Sequence, residues 1–358
     1  MDDTFTLVTG GAGFIGSHLV DALLTDGHDV RVLDDFSTGK DENLDEAWAL
    51  AAQGGAGLQV MEGDVRDEVR VRDVMDGCGA VVHLAAVPSV AQSMEDPVGC
   101  DSVTHGGTVN VVRQAVEAGV QRVVLASSCA VYGDAAQLPI AETTPARPLS
   151  PYAGAKLASE EVCMDAADAG QITAVCLRFF NVYGPRQDPG SAYSGVISRF
   201  LAAAAAGEPV TLYGDGRQTR DFVYVADVVD VLARAVAGEG DDDGDLPVTN
   251  VGRGVSVSVA ELAQAVGEAV GTRPAIEFGP ARPGDVRHSL ADVTLLTRRF
   301  GSAPATDLRP PPPPAAPADE EQPDTTDQPA EPPAPTAEQQ AHLAALELTV
   351  GHRDDGFV

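Results

Sequence analysis

The sequence predicts an α/β fold, a doubly wound parallel sheet with a smaller C-terminal lobe, and three observations carry that prediction. Short apolar runs alternate with helical patterns through the first half of the chain. Glycines crowd the first connection, at Gly10, Gly11, Gly13 and Gly16. The alternation stops after Asn181, where a stretch rich in Gly and Pro begins. The 358 residues are enough for about two domains.

The first strand holds Phe5, Leu7 and Val8, and the first helix covers residues 14–26 with Ile15, Leu19, Ala22 and Leu23 on its apolar face. Two glycine spacings overlap between them: Gly11, Gly13 and Gly16 fit G-x-G-x-x-G, and Gly10, Gly13 and Gly16 fit G-x-x-G-x-x-G. Glycines there permit a tight strand-to-helix turn, let a pyrophosphate approach the backbone, and let the helix pack close on the strand. The helix, opening on Phe14 and Ile15, then aims its N-terminus at the phosphates. A second strand at residues 30–33 ends in Asp34, about twenty residues beyond the glycines, where a carboxylate accepts hydrogen bonds from ribose hydroxyls. Asp34 and Asp35 would repel a 2′-phosphate, and no Arg or Lys stands beside them until Lys40, so NAD is expected rather than NADP.

A third strand at residues 58–61 leads to Asp64 and Val65, with Asp64 placed to reach the adenine edge. A fourth, at 80–84, ends at Leu84 and runs into Ala85 and Ala86, small residues that let the cofactor lie against the strand's C-terminal end. A helix at 103–118, a strand at 122–127, a helix at 152–170 and a strand at 173–179 complete a Rossmann-type NAD-binding domain over residues 1–181, with later returns near 218–252. Residues 182–309 read mainly as a substrate-binding lobe: a long loop at 183–195, helices at 196–207, 225–237 and 259–270, and short strands at 210–212, 248–251 and 275–278. Residues 310–336, rich in Pro and acidic side chains, are expected to be a disordered tail, and residues 337–358 hold a short helix at 337–350.

The net charge is −31, with 23 Lys and Arg against 54 Asp and Glu. That acidity excludes nucleic acid, whose phosphates need Lys and Arg, and an anionic membrane surface. It also means that an anionic substrate needs local arginines. Lys40 and Lys156 are the only lysines. An acidic, lysine-poor surface suits a salt-rich cytoplasm such as a halophile's, where salt screens self-repulsion; an ordinary mesophile with an acidic bias is the rival account. Five cysteines without C-x-x-C pairing read as reduced core residues, and neither a signal peptide nor a membrane span is read, so the expected location is cytoplasmic. The seven histidines show no metal-ligand spacing, and no metal is expected.

Tyr152 and Lys156 stand four apart near a helix start, on one face and one turn apart. A tyrosine of ordinary pKa, about 10, is a poor base at neutral pH, but an adjacent ammonium and a nicotinium cation favour its phenolate. Ser127 and Ser128 end the fifth strand on the same rim as the glycine turn, where a hydroxyl can bond a substrate hydroxyl as it is oxidised.

Together these residues resemble the NAD-dependent epimerase/dehydratase family, the extended short-chain dehydrogenases that act on nucleotide sugars. The resemblance runs from about residue 6 to 309. It rests on Thr9 to Gly16, Asp34-Asp35-Phe36-Ser37-Thr38-Gly39, Gly63-Asp64-Val65-Arg66-Asp67, His83-Leu84-Ala85-Ala86, Ser127-Ser128 with Val131-Tyr132-Gly133, and Tyr152 with Lys156. It continues through Leu177 to Pro185, Gly214-Asp215-Gly216 with Arg220-Asp221-Phe222, and Arg282-Pro283-Gly284-Asp285. Within the family the chain is most similar to the UDP-glucose 4-epimerases. The resemblance implies that Tyr152 takes the proton of the sugar 4-hydroxyl while hydride passes to NAD, that Ser128 steadies the oxygen, and that Lys156 holds the cofactor ribose. It implies further that Asn181, Arg220 and Arg282 bind the UDP diphosphate, and that the enzyme is a homodimer through the helices around 103–118 and 152–170.

Two departures stand out. Thr104 occupies the place of a family Asn near the cofactor, which puts those cofactor contacts in question. Ser289 stands where a bulky aromatic in other members excludes N-acetylated sugars, so UDP-N-acetylhexosamines are expected to fit. Cys129 and Ala130 follow Ser128 where dehydratases and decarboxylases carry an acid, which favours epimerisation, and Cys129 has no identifiable base and reads as packing. The alternatives are a UDP-glucuronate 4-epimerase, another NAD-linked nucleotide-sugar oxidoreductase or decarboxylase, and, from another class, a non-catalytic NAD-binding sensor.

Overall fold

The computed structural model describes residues 4–188, 196–241, 247–271, 274–280 and 286–308. Its strands are β1 (Phe5–Thr9), β2 (Val30–Asp34), β3 (Leu58–Glu62), β4 (Cys78–His83), β5 (Arg122–Ser128), β6 (Thr173–Phe179), β7 (Asn181–Tyr183), β8 (Val210–Tyr213), β9 (Thr219–Tyr224), β10 (Val248–Val251), β11 (Ser256–Ser258) and β12 (Ile276–Gly279). Its α-helices are α1 (Phe14–Thr25), α2 (Asp45–Ala52), α3 (Glu68–Met75), α4 (Val90–Glu95), α5 (Pro97–Asp101), α6 (Gly107–Ala118), α7 (Pro151–Asp168), α8 (Val196–Ala205), α9 (Val225–Val236), α10 (Val259–Ala269) and α11 (Thr294–Phe300).

Seven strands form the main sheet in the order β10-β6-β5-β4-β1-β2-β3, every neighbouring pair parallel. Such strands are covered on both faces, which is why β2 is buried at all five positions, including those of its polar residues Arg31 and Asp34. One face carries α1, α9 and α11 over a core that includes Leu19, Leu23, Val32, Val228, Leu232 and Phe300; the other carries α3, α6 and α7 over Leu7, Val71, Val111, Leu125 and Cys163. Burying Leu19 and Leu23 completely contributes roughly 2 kcal/mol each before ordering entropy is counted.

The order reverses between β1 and β4, so a crevice opens at their C-terminal ends, where sheets of this kind bind ligands. Two of the helices beside the crevice start on serine side-chain caps. Ser150 caps α7 by accepting from Ala153 N at 3.2 Å, with Pro151 in the first turn. Ser89 caps α4 by accepting from Gln92 N.

Within residues 218–252, β10 extends the main sheet beside β6 and α9 packs on α1, whereas β9 joins a small sheet with β7 and β11. The two small sheets, β11-β9-β7 and β12-β8, carry α8 and α10 packed around Phe200, Leu201, Leu212 and Leu262, while α11 stays on the main-sheet face. The expected helix at 103–118 begins instead with a π-turn at Ser102–Gly106, and α6 follows from Gly107. Parts of the expected loop at 183–195, and all of the tail and short helix beyond 308, lie outside the described residues.

Candidate active site

The crevice divides into an end at the glycine turn, where the cofactor is expected, and an end at Tyr152, where the sugar is expected. At the cofactor end the chain turns from β1 into α1 at Gly10, whose φ of +71° suits glycine. A Cβ there would lie 2.9 Å from Ala85 N, so β4's exit passes directly under the turn. A Cβ on Gly16 would collide with the Gly10 carbonyl, which is the close helix packing expected of the third glycine. A cavity of about 200 Å³ opens here, lined by Gly10, Gly13, Asp34, Asp35, Ser37, Thr38, Val65, Ala85 and Ala86, nine of the expected cofactor residues, together with Val87, Pro88 and Gln92.

The others have supporting places. Asp34 Oδ2 accepts from Ala12 N and Oδ1 from Phe36 N, both at 2.9 Å, so this carboxylate holds the glycine turn and the next loop together. Burial raises its pKa, opposed by those same two hydrogen bonds. Phe36, at φ +54°, packs with Phe14 and Ile15 on the α1 core, and Gly39 lies against Asp34. Asp35 Oδ1 accepts from Ser37 N at 2.9 Å. The Asp64 carboxylate is gripped by Arg66, whose Nε lies 3.0 and 2.9 Å from its two oxygens; that pairing holds its pKa down, and it does not line the cavity. Leu84 packs against the core on the α1 face and does not line the cavity, while Ala85 and Ala86 form its floor.

Beneath that floor runs a buried polar chain that the sequence reading did not anticipate. Ala85 N donates to Thr9 Oγ1, which lies 2.7 Å from His83 Nδ1; His83 Nε2 lies 3.1 Å from Thr108 Oγ1, which reaches Ser159 on α7. Burial holds the His83 pKa down at about 3, with the Lys156 charge adding to the effect, so the imidazole is neutral. Thr104 sits in the π-turn, its hydroxyl accepting from Val87 N at 3.2 Å, so it supports the cavity wall through the backbone.

The sugar end is a cleft of about 480 Å³ lined by Ser128, Cys129, Ala130, Tyr152, Asn181, Arg220 and Ser289, closed by the apolar Val90, Ala91 and Met94 of α4 and by Phe180. It brings together every expected catalytic and substrate residue but two. Lys156 lies one turn behind Tyr152, and Arg282 lies outside the described residues. Arg220 is the one charged side chain in this lining among the described residues. Ser128 and Ser127 have separate roles: Ser128 Oγ accepts from Ala130 N at 3.2 Å and faces the cleft, whereas Ser127 turns inward to Glu160, which is also paired with Arg178 at 2.6 Å.

The expectation that Lys156 makes Tyr152 acidic is not met by the protein alone. Burial pushes the phenol up to about 12, against a downward pull from its hydrogen bond with Ser128. Lys156 is 5% exposed, and its ammonium donates to the Ala126 carbonyl at 2.6 Å; burial pulls its own pKa down to about 8. Desolvation outweighs the i to i+4 proximity: Lys156 is buried, and Tyr152 is half-buried at the edge of the cleft. Cys129 lines the cleft with its thiol in the neutral form: burial raises it to about 11, and its Sγ lies 4.0 Å from Ser289 Oγ. Asn181 Nδ2 donates to Asp221 O at 3.1 Å and Arg220 Nη1 to Thr219 O at 2.8 Å, which seats both on the β7–β9 pair. A separate groove of about 530 Å³, between α8 and β8, contains Arg199, Thr211 and Tyr213, none of them expected from sequence.

No group of three or more His, Cys, Asp or Glu side chains among the described residues could hold a metal ion. No helix among them is long and apolar enough to cross a membrane.

Known proteins resemble the chain over most of its length. It is 40% identical to a UDP-glucose 4-epimerase of Mycolicibacterium smegmatis over 85% of this chain and 94% of that protein. It is 34% identical to a UDP-glucuronic acid decarboxylase of Arabidopsis thaliana, over 85% of this chain and 66% of the other. A UDP-glucose 4-epimerase from Thermotoga maritima, solved with UDP-glucose, superimposes with a TM-score of 0.78 at 35% identity, covering 85% of this chain and 95% of that one. A UDP-N-acetylglucosamine 4-epimerase from Methanobrevibacter ruminantium, solved with UDP-N-acetylmuramic acid, gives the same TM-score of 0.78 at 33% identity, covering 85% and 94%. Residues 6–252, which include the glycine turn, Tyr152 and Arg220, match the NAD dependent epimerase/dehydratase family, and the chain belongs to it.

Proposed function

We propose that this protein is a nucleotide-sugar 4-epimerase that interconverts UDP-glucose and UDP-galactose and also admits the UDP-N-acetylhexosamine pair. The observation that carries the reading is the sugar cleft itself. Tyr152 and Ser128 face one space, and the wall beyond Ser128 is Cys129 and Ala130, with no carboxylate to assist elimination of water. Ser289 also lines this cleft, and its small side chain is what supports including the N-acetylated sugars in the reading.

The cofactor, NAD by family, fits the cavity under the glycine turn, because Gly10 and Gly13 leave their backbone open and the floor is two alanines. When bound, it takes up and returns the hydride of the sugar C4 and brings a positive charge. The chain supplies the rest. Tyr152 removes the proton from the 4-hydroxyl and later restores it; Ser128 holds the same oxygen; Lys156 keeps a buried ammonium one turn away. Burial raises the phenol to about 12, and the positive charge of the bound cofactor would favour its phenolate. Arg220 and Asn181, with Arg282, hold the diphosphate, giving a protein of net charge −31 the local positive charge it needs. The 4-keto sugar then turns within the cleft, and the C4 hydrogen returns on its other face. We also take the working form to be a homodimer in concentrated salt.

The test is to incubate purified protein in high salt with UDP-glucose, UDP-N-acetylglucosamine and UDP-glucuronate and to resolve the products. UDP-galactose and UDP-N-acetylgalactosamine are expected. A pentose product, or a 4-epimer from UDP-glucuronate alone, would replace this reading with the hexuronate one that the decarboxylase relatives represent. No turnover with any sugar, and no change on Tyr152→Phe, would leave a sensor.

A further inference from the structure

Beyond β7 the chain crosses at residues 184–188 from the sugar end to α1, and three contacts hold it there. Arg186 Nη1 lies 2.7 Å from Asp21 Oδ2. His18 Nε2 lies 3.0 Å from the Pro185 carbonyl oxygen. Lys40 Nζ lies 3.8 Å from Asp188 Oδ2. His18 and Asp21 belong to α1, the helix that opens at the glycine turn, and Lys40 N donates to Ala12 O at 3.1 Å within that same turn. At its other end the crossing joins β7, which carries Asn181 and pairs with β9, the strand of Arg220.

The three contacts are unequal. The Lys40–Asp188 pair is about half exposed, at 50% and 44%, and salt screens it. Burial lowers the His18 pKa, so its contact is that of a neutral imidazole. The Arg186–Asp21 pair is enclosed, at 23% and 17% exposure, and it is costly to keep. Arg186 holds a φ of +63°, a region that a non-glycine residue occupies only at a cost. Asp21 Oδ1 and Arg186 Nη1 are buried without an aligned hydrogen-bond partner. A buried ion pair so incompletely satisfied adds little stability, whereas backbone strain of this kind clusters where a structure must hold a functional geometry.

We infer that Arg186, through Asp21, is a positioning residue: it fixes the β7–β9 strands, and with them Asn181 and Arg220, relative to the helix that opens the dinucleotide turn. The inference rests on the reading of the cleft as a nucleotide-sugar site. Transfer at the sugar C4 needs the two ends of the crevice aligned, and a displacement of about 1 Å can cost about a hundredfold in rate.

The experiment uses the full chain in high salt. It measures UDP affinity by calorimetry, NAD retained per protein, thermal midpoint, and KM and kcat. The decisive variant is the double Asp21→Asn/Arg186→Gln, which leaves no lone buried charge. It is expected to keep its NAD and its thermal midpoint while UDP affinity falls, and KM rises, about tenfold. The singles separate positioning from simple charge. Charge alone would make Arg186→Gln bind UDP more weakly and Asp21→Asn bind it more tightly, whereas positioning makes both weaker and the double no worse than the weaker single. Arg186→Lys should recover part of the loss. Wild-type UDP affinity in the double variant, tighter binding in Asp21→Asn, or loss of NAD and UDP together with a lower midpoint would each overturn the inference. If the parent protein binds UDP but converts no UDP-hexose, the substrate reading fails and the UDP comparison still decides the role of Arg186; if it binds no UDP, both fall.

Discussion

The two ends of the crevice are built in different ways. The cofactor end is local: Gly10, Gly13, Asp34 and the Ala85-Ala86 floor lie within the first 86 residues, each at the C-terminal end of a main-sheet strand. The sugar end is assembled from distant parts: α4, the turn after β5, the start of α7, β7, β9 and the segment around Ser289. A local seat tolerates little change in backbone and serves many members of a family. An assembled cleft can change one wall at a time, which is where substrate choice resides.

The sharpest way to separate the two ends is Tyr152→Phe. Turnover should fall by about a thousandfold or more, while the dinucleotide stays bound and its retention after gel filtration is unchanged. Parallel loss of turnover and cofactor would mean that the ends are not separable. Gly10→Ala should do the reverse. A Cβ at φ +71°, 2.9 Å from Ala85 N, should lower NAD retention about tenfold or more, with UDP affinity measured by calorimetry left near the parent's. Ser289→Tyr should remove about tenfold or more of the activity with UDP-N-acetylglucosamine and leave UDP-glucose within about threefold, as read from kcat/KM for the two sugars.

The smallest effect is that of pH. Lys156, with its pKa pulled down to about 8 by burial, is charged below that value and neutral above it. The support it gives the phenolate is therefore present in the acid and neutral range and lost as pH rises through about 8, so kcat should decline severalfold on that limb. Lys156→Arg stays charged, and an alkaline limb that survives this change would assign the decline to another group.

These contrasts also show why one end was legible in the sequence. The glycines, Asp34 and the alternation of strands are short-range patterns whose backbone consequences follow from residue type, and β6 and β10 begin and end as the periodicity predicts. Tyr152 and Lys156 were readable as a pair because spacing puts them on one helix face, but their electrostatics were not. Burial beside the end of β5 and the turn that follows pushes Tyr152 up, against the pull of the Ser128 hydrogen bond, while the Ala126 carbonyl of β5 takes up the Lys156 ammonium. The strand β9 escaped because Arg220 and Asp221 interrupt its apolar pattern; Asp221 is fully buried and accepts from the backbone N–H groups of Arg253, Gly254 and Ala291. The wall formed by Val90 and Met94 escaped because α4 is six residues long, too short for periodicity to declare itself. His83 was quoted as part of a motif, yet its task as a neutral bridge between Thr9 and Thr108 depends on contacts 74 and 25 residues away.

The central claim is that C4 of the sugar is oxidised and reduced inside one closed cycle. Incubating the protein with UDP-glucose deuterated at C4 and following the products by NMR tests it most directly. The account predicts UDP-galactose that keeps its deuterium at C4. Deuterium washed out to solvent, or an epimer formed at any other carbon, would contradict it.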